Sequence, residues 1–371
     1  MRTRCASLAL AGLVSVLGAC NSTPTGPVTP TSADIFVLNT LSRTIQQFTI
    51  DEQTLVPFGS SFILPTNYDG VSFDVTENLL VTTTSALGGS QVIWIDVGTG
   101  EQLISGFPGP NGALADAGRA TLLPQVGSPT GALVPARAEN AIYIVYPTLQ
   151  AQLLVGGVGE FVERVLPFGQ FLATIDANVD DAGGTFANLG GPRVEMFRAD
   201  GTLFDDIEIP GSLGATDGLI LNDAVVLLSG GTSAPDELPV GDGSVVVVSL
   251  TSRAVIENLA LGGNGLSLEP GRDGLAHIAR TRGAGTLETD IITFSFSTRS
   301  FVNGPTNPIR PRNADGSIIT NCRVASALID GRNICLTWEE SAQGRIVLME
   351  ADGAFLDDAP VGAGASDIHI R

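Results

Sequence analysis

The sequence predicts an all-β fold, a seven-bladed β-propeller with four-stranded antiparallel blades, from three observations. A hairpin signature recurs seven times, about every fifty residues, as an apolar strand, a tight polar turn and a second short strand. Only strand-like segments separate the turns, which is typical of propeller repeats. Two copies, 196–206 and 348–358, also match in sequence and lie 152 residues apart, which is three periods. The turns are centred at Asp51, Gly98, Leu149, Asp200, Thr251, Thr298 and Asp352.

The recurring hairpin is best assigned to the third and fourth strands, c and d, of each blade. Its first strand is a near-continuous apolar run, as at 92–95, 142–146, 245–248 and 346–349. A strand that neighbouring blades cover on both faces needs such a run, whereas a half-exposed strand would alternate. The second strand is shorter and more polar, as we expect for a strand at the rim.

The first blade lacks an innermost strand, a, at the N-terminus, because only 35–38 precedes its c strand at 44–50. After the last d strand the chain ends in an alternating segment, 366–371. We therefore expect the C-terminal strand to join the N-terminal blade and to close the ring. The propeller domain is assigned to 33–371.

Strand direction predicts that the a–b and c–d turns lie on one face and the b–c and d–a connections on the other. The first set is tight and the second is long, which favours a binding surface on the second face. The alternative is drift, because surface insertions are well tolerated. The long segments are 106–117, 177–192, 230–243, 280–289 and 303–317.

The N-terminus has the pattern of a secretory signal over 1–19, a short basic start followed by an apolar run too short to remain as a membrane span. The run ends in Leu-Gly-Ala-Cys at 17–20, which resembles the lipobox of bacterial lipoproteins. That resemblance implies cleavage before Cys20 and attachment of fatty acids such as palmitate to it. Asn21, where many lipoproteins of the inner membrane have aspartate, implies the outer membrane or the cell surface. The alternative is an ordinary signal peptide cut after Ala19.

Residues 20–32 are predicted to be a flexible tether behind the lipidated Cys20. The segment is rich in Ser, Thr, Pro and Gly and contains no large apolar side chain, so it buries too little surface to offset its ordering entropy. No later stretch reaches eighteen apolar residues, so lipid is the expected membrane anchor.

The net charge of −20 argues against a nucleic-acid partner and against electrostatic attraction to anionic lipid. All nineteen basic residues are arginine, which excludes Schiff-base and P-loop chemistry that needs lysine.

Cys322 and Cys335 remain as an even pair once the signal and the lipidated cysteine are set aside. In an oxidising compartment such a pair favours a disulfide. The alternative is two buried thiols, because simple pairing across the turn at 330–331 would place Cys335 closer to Ser326 than to Cys322.

Three aspartates, Asp69, Asp217 and Asp367, each lie just before a predicted a strand, about three periods apart. Their carboxylates could ring the mouth of the channel and hold a cation, for which Ca²⁺ is the candidate, or a polyhydroxy ligand. The alternative is that each accepts backbone N–H groups at a strand entry. His369 follows Asp367 on the same side of its strand and is predicted to lie near the channel. A packed histidine is the alternative to a hydrolytic role.

Catalytic motifs are missing from the sequence: there is no His-Glu-x-x-His, no Gly-x-Ser-x-Gly and no P-loop. The segment 35–51, with Ile35-Phe36-Val37-Leu38-Asn39 before Arg43-Thr44-Ile45, resembles the repeat of YVTN-type and lactonase-like seven-bladed propellers. That resemblance implies a fold and no catalytic residue.

Two functions are therefore predicted. The first is a lipid-anchored, non-enzymatic binding or scaffold module of the cell envelope, whose long-loop face meets an envelope protein or a glycan. The alternative is a lactonase-like propeller hydrolase that uses the channel-mouth carboxylates with a divalent cation.

Overall fold

The computed structural model describes residues 34–371 apart from 67, 69, 77, 85–89, 107–116, 124–130, 149–150, 182–185, 189, 213, 230–242, 283–287 and 340–341. The predicted signal peptide, Cys20, the tether and Asp69 lie outside the described residues. Among those residues, no helix is long and apolar enough to cross a membrane.

The described residues form seven four-stranded antiparallel blades, as the repeat predicted. Blade 1 contains β1 (Ile35–Asn39), β2 (Thr44–Asp51) and β3 (Thr54–Pro57), with β4 (Phe62–Ile63) also paired to β2. Blade 2 contains β5 (Gly70–Val75), β6 (Leu79–Thr84), β7 (Gln91–Asp96) and β8 (Gln102–Gly106). Blade 3 contains β9 (Thr121–Leu122), β10 (Ala132–Ala136), β11 (Ala141–Val145) and β12 (Ala151–Gly156), with a 3-10 turn at Arg137–Glu139.

The remaining blades repeat this meander. Blade 4 contains β13 (Val162–Phe168), β14 (Phe171–Asp176), β17 (Arg193–Arg198) and β18 (Leu203–Glu208), with a separate ribbon of β15 (Val179–Asp181) and β16 (Phe186–Asn188). Blade 5 contains β19 (Ala215–Leu221), β20 (Ala224–Ser229), β21 (Ser244–Ser249) and β22 (Ala254–Ala260). Blade 6 contains β23 (Gly265–Pro270), a 3-10 turn (Arg272–Gly274), β24 (Leu275–Thr281), β25 (Thr289–Ser295) and β26 (Ser300–Asn303). Blade 7 contains β27 (Cys322–Ala327), β28 (Asn333–Thr337), β29 (Arg345–Met349) and β30 (Phe355–Pro360).

The ring closes through the C-terminal strand, as predicted. β31 (Ala365–Ile370) pairs antiparallel with β1 and supplies the innermost strand of blade 1. The seam between the two ends of the chain is therefore an ordinary strand pairing inside one blade.

Apolar clusters fill the seams between blades, and the c strands contribute to both seams that they touch. In β29, Ile346 and Leu348 pack towards blade 1, whereas Val347 and Met349 pack towards blade 6. All four side chains are buried. This two-sided burial is the physical reason why the c strands are near-continuous apolar runs.

The strand order sorts the connections onto two faces. The a–b and c–d connections lie on one face, the turn face, and the b–c and d–a connections lie on the other, the long-connection face. The predicted segments at 177–192, 230–243 and 282–288 are b–c connections, and 107–120 is a d–a connection. β1 begins and β31 ends at the turn face.

Two connections differ from the prediction. In blade 3 the a–b connection, 123–131, is longer than the b–c connection, because the 3-10 turn at Arg137–Glu139 reverses the chain quickly. The d–a connection at 304–321 runs back along the rim, where Ile309 pairs with Ile291 and the Arg312 N–H donates to the carbonyl of Gly353 in a c–d turn. The predicted loop at 303–317 is therefore only partly on the long-connection face.

Cys322 and Cys335 form a disulfide between β27 and β28, with their Cα atoms 5.6 Å apart. Cys335 lies opposite Ala325 in the strand pairing, and a bulge between Cys322 and Val324 shifts the register. The bulge is the reason why two cysteines that simple pairing would separate come within bonding distance.

Candidate functional site: the charged channel

A bulge near the start of the a strand re-aims side chains in six of the seven blades. The register shifts by one residue in six blades, just before the residue that we call the post-bulge position. A bulge re-aims side chains in this way because it adds one residue to one strand of a pair. The post-bulge residues are Asp367, Ser72, Arg164, Asp217, Ser267 and Val324, in blades 1, 2, 4, 5, 6 and 7 respectively.

Post-bulge side chains bond to the backbone of the following blade at three seams. Asp367 Oδ2 accepts the N–H of Phe73 at 3.2 Å, and Ser267 Oγ accepts the N–H of Ala325 at 3.3 Å. Arg164 Nη1 donates to the carbonyl of Gly218 at 3.3 Å. The wall of the channel is thus held by polar bonds between blades, in addition to the apolar seams outside it.

The a strands of six blades, and in blade 3 the stretch just before β9, line a cavity of about 200 Å³ in the channel, the channel cavity. Its charged and titratable lining comes from five blades and consists of Asp74, Arg119, Arg164, Glu269, Asp367 and His369.

Asp217 lies between two arginines that come from two other blades. Arg119 Nη1 is 3.2 Å from Asp217 Oδ2, and Arg164 Nη1 is 3.1 Å from Asp217 Oδ1. The Asp217 side chain is 2% exposed, and Oδ1 also accepts the N–H of Gly218 at 2.7 Å. Burial by itself lowers the pKa of Arg119, but Asp217, Asp367 and Glu269 together raise it above its usual value. Both oxygens of Asp217 therefore face fixed positive charge.

Asp367 is buried beside the same arginine but forms no ion pair with it within 4 Å. Its two oxygens accept the N–H groups of Phe73 and Ile368. Burial raises the pKa of Asp367 to about 6, although Arg119 and the bond from Phe73 act in the opposite direction. This aspartate titrates closer to neutrality than an exposed one.

Glu269 faces the channel cavity without a fixed partner. Its carboxyl forms no hydrogen bond and no ion pair with any of the described residues, whereas its surroundings are buried and acidic. Burial raises the pKa of Glu269 well above its usual value, and the charges of Asp367 and Asp217 raise it further.

His369 and Asp74 lie side by side in the cavity wall, with Nδ1 and Oδ1 3.7 Å apart. Asp74 is held by the N–H groups of Val75 and Leu122, both at 2.9 Å. Burial lowers the pKa of His369, although Asp74 opposes the shift. The imidazole is accordingly neutral at pH 7 and does not contribute a positive charge to the cavity.

The structure changes the placement of two of the three predicted aspartates. Asp217 and Asp367 lie inside β19 and β31 rather than before them, and both occupy the post-bulge position. The residue at that position in blade 2 is Ser72, whereas Asp69 lies outside the described residues. Within the described part of the chain, no three His, Cys, Asp or Glu side chains are grouped to hold a metal ion.

Four charged residues of the cavity were not predicted: Asp74, Arg119, Arg164 and Glu269. Arg164 could have been found from the repeat, because it precedes Asp217 by 53 residues, close to one period. Arg119 also lies about two periods before Asp217, but it falls in an irregular stretch before β9, outside any strand that the repeat predicts, and it reaches Asp217 two blades away.

Comparisons with known proteins support the propeller fold and do not assign a function. No family model and no curated protein matches this chain. Similar solved structures include the dihydro-heme d1 dehydrogenase NirN, which is 12% identical with a TM-score of 0.58 over 95% of this chain and 78% of that chain. The hydrazine synthase of Kuenenia stuttgartiensis is 10% identical, with a TM-score of 0.52 over 78% of this chain and 86% of that chain. A protein from Lactobacillus plantarum is 12% identical, with a TM-score of 0.50 over 73% of this chain and 81% of that chain. Similarity at this level of identity indicates a shared propeller architecture only.

Proposed function

We propose that this protein is a lipid-anchored β-propeller of the bacterial cell envelope that acts as a non-enzymatic binding module. Cys20 carries the lipid, the tether at 20–32 links it to the propeller, and the long-connection face meets an envelope protein or a glycan. The outer membrane or the cell surface is the proposed location.

One observation carries the proposal: the propeller begins at the turn face. Ile35, the first residue of β1, pairs with Ile370 at the end of β31, where the a–b and c–d turns lie. A tether that enters there leaves the opposite face unobstructed. That opposite face receives the connections at 107–120, 177–192, 230–243 and 282–288, and long connections on a rigid scaffold commonly carry binding function.

The hydrolase alternative has less support. A divalent cation needs several free oxygen ligands, but both oxygens of Asp217 face arginines and those of Asp367 accept backbone N–H groups. Titration calorimetry with Ca²⁺ and Mg²⁺ after chelator treatment tests this alternative directly. Saturable binding that is lost in Asp217→Asn and Asp367→Asn would favour the hydrolase.

The anchor is tested by metabolic labelling with a palmitate analogue and by membrane fractionation. We expect the wild-type chain to incorporate label and to sediment with the envelope, and we expect Cys20→Ser to lose both properties. A Cys20→Ser chain that still sediments with membranes would contradict the lipid anchor.

The binding face is tested by photocrosslinking from single positions in intact cells. Leu41 and Glu339 are exposed on the long-connection face, and Asp51 and Asp352 are matched positions on the turn face. We expect discrete crosslinked species from the first pair only. Equal crosslinking from both faces would reject the assignment of the face, independently of the result for Cys20.

A further inference from the structure

We propose that the channel cavity binds a small organic cation with an ammonium group, and that Glu269 is the carboxylate that receives it. The proposal concerns a second site, so it does not depend on the proposed function of the long-connection face.

The first step is the unpaired state of Glu269. It projects into the cavity from β23, two residues after the post-bulge Ser267, and it finds no hydrogen bond or ion pair among the described residues. Its cross-strand neighbour is His277, which is buried, and burial lowers the pKa of that imidazole to about 4. An uncharged histidine cannot neutralise the carboxylate. Glu269 is half-buried, and a carboxylate that is partly removed from water is stabilised by a proton or a positive partner.

The second step is the charge balance of the cavity. Three carboxylates line it, those of Asp74, Asp367 and Glu269, and the two arginines of the lining, Arg119 and Arg164, lie against a fourth carboxylate, that of Asp217, outside the lining. Both arginines pair with Asp217, and in the described part of the chain the other three carboxylates have no arginine within 4 Å. His369 is neutral because its pKa is lowered. The cavity therefore has an excess of negative charge that a bound cation would neutralise.

The third step is a buried polar atom in the wall of the cavity. Ser72 lines it, is 2% exposed, and its hydroxyl oxygen has no hydrogen-bond partner. An ammonium group supplies several N–H donors and satisfies both a carboxylate and a hydroxyl oxygen. The volume of about 200 Å³ equals the share of roughly seven liquid water molecules, which suits a ligand of a few non-hydrogen atoms.

Competing ligand classes fit less well. A divalent metal ion lacks a group of three ligating side chains among the described residues. A neutral polyol would satisfy hydrogen bonds but would leave the excess carboxylate charge in place. An anion would meet arginines that are already paired with Asp217.

Binding exchanges the cation for a proton. In the free protein, burial and the neighbouring Asp367 and Asp217 raise the pKa of Glu269, although Arg119 and Arg164 oppose the shift, so the protonated carboxyl is favoured as the pH falls. When the ammonium group enters, the Glu269 O–H bond breaks, the proton leaves to the buffer and the carboxylate accepts ammonium N–H groups. By linkage, the affinity rises by up to about tenfold per pH unit below the pKa of Glu269 and levels off above it.

The experiment is titration calorimetry of the purified protein with ethanolamine, and with ethylene glycol as the neutral analogue. Each titration is repeated at several pH values and in two buffers of different ionisation enthalpy, which counts the protons released. We expect ethanolamine to bind with proton release and ethylene glycol to bind at least about tenfold more weakly, since only the first carries charge.

The variant Glu269→Gln should lose at least about tenfold in affinity and should lose the proton release, because an amide has no proton to exchange. Glu195→Gln is the matched control, since Glu195 is a glutamate whose pKa is likewise raised by burial but which lies outside the cavity. It should bind ethanolamine as the wild type does.

Three outcomes would overturn the proposal. These are equal binding of ethylene glycol, binding without proton release, and no binding of ethanolamine at any pH between 6 and 9. Retained affinity in Glu269→Gln would assign the ammonium to another carboxylate and would reject the role of Glu269.

Discussion

Blades 4 and 6 place opposite charges at one equivalent position of the fold, and only one of the two charges is neutralised. Asp176 ends β14 opposite Val162, and Arg280 lies in β24 opposite Gly265. In both blades the opposing residue directly precedes the a-strand bulge. Both side chains are buried, so each charge depends on local partners rather than on water.

Arg280 has a full set of partners. Its guanidinium pairs with Asp290, the residue directly across on β25, with Nε 2.8 Å from Oδ1. It also donates to the carbonyls of Leu261, Gly262 and Pro305. One side chain thus ties its own blade to the connections that enter and leave it.

Asp176 lies at the equivalent position with the opposite charge, and it lacks a full set of hydrogen-bond and ion-pair partners. Its cross-strand partner is Arg193, but Arg193 pairs instead with Asp206 at 2.7 Å. Oδ1 accepts the N–H of Asn178, and the buried Oδ2 has no partner. Burial raises the pKa of Asp176 to about 7, and nearby Glu195 adds to the shift. A buried charge at this position is therefore stabilising only where the neighbouring strands supply every partner, as they do for Arg280 and not for Asp176.

The largest expected effect is that of Arg280→Met. This change leaves Asp290 buried without a counter-charge and three carbonyls without a donor, so we expect a loss of about 3–5 kcal/mol in the free energy of unfolding. Urea unfolding at neutral pH measures it. Arg193→Met is the matched control, because its ion pair is about one-third exposed and should contribute at most about 1 kcal/mol. Equal losses would mean that burial does not distinguish the two sites.

Asp176→Asn should stabilise the protein above neutral pH. An unfolded aspartate ionises near pH 4, whereas folded Asp176 ionises near 7. Between these values the folded state holds more protons, so wild-type stability falls as pH rises. Asparagine cannot ionise, so we expect the variant to exceed the wild type by up to about 4 kcal/mol at about pH 8.

Unfolding curves at about pH 5 and 8 test this prediction, and the advantage of the variant should shrink at the lower pH. Asp352→Asn, at an exposed turn, is the control and should show no such trend. A variant less stable than wild type at both pH values would show that the Asp176 carboxylate is satisfied by a contact that the pairing does not reveal.

Gly159→Ala tests how tightly the chain encloses Asp176. A Cβ at Gly159 would lie 1.7 Å from Asp176 Oδ2, so one of the two must shift, and overpacking of this kind costs about 1–3 kcal/mol. Gly156→Ala is the matched control in the preceding residues, since nothing lies within 4 Å of its added Cβ. In an Asp176→Ala background the cost of Gly159→Ala should fall, and thermal unfolding of the four chains measures this coupling. An unchanged cost would place the clash elsewhere.

The blade architecture could be predicted from sequence, whereas the charged contacts could not. The c strands, such as β29, can be recognised in the sequence because burial on both faces requires apolar residues at successive positions. The closing strand could be predicted because the first blade lacked a strand. Both inferences need only the local pattern and the repeat.

The channel contacts depend on register and on distance across the ring. Asp217 and Asp367 could be proposed together because about three periods separate them. Arg119, 98 residues before Asp217, could not, because no motif marks an arginine that crosses two blades. The disulfide was favoured from compartment alone, and the bulge that permits it is a feature of backbone register.

The smallest expected effect is that of a change at Thr337 in blade 7. Thr337 occupies the position equivalent to Asp176 and Arg280, but its side chain is neutral. It lies opposite Cys322, directly before the bulge, and its buried hydroxyl accepts the N–H of Arg345 at 2.9 Å. Thr337→Val keeps the shape and removes two neutral hydrogen bonds, the one from the Arg345 N–H and a longer one that the hydroxyl donates to the Arg345 carbonyl at 3.4 Å. We therefore expect a loss of about 1 kcal/mol that does not change with pH. Urea unfolding at about pH 5 and 8 measures both the size and the pH dependence. A loss as large as that of Arg280→Met would mean that the position itself, rather than the charge placed there, determines the energy. A small, pH-independent loss would assign the difference between blades 4 and 6 to the completeness of charge pairing.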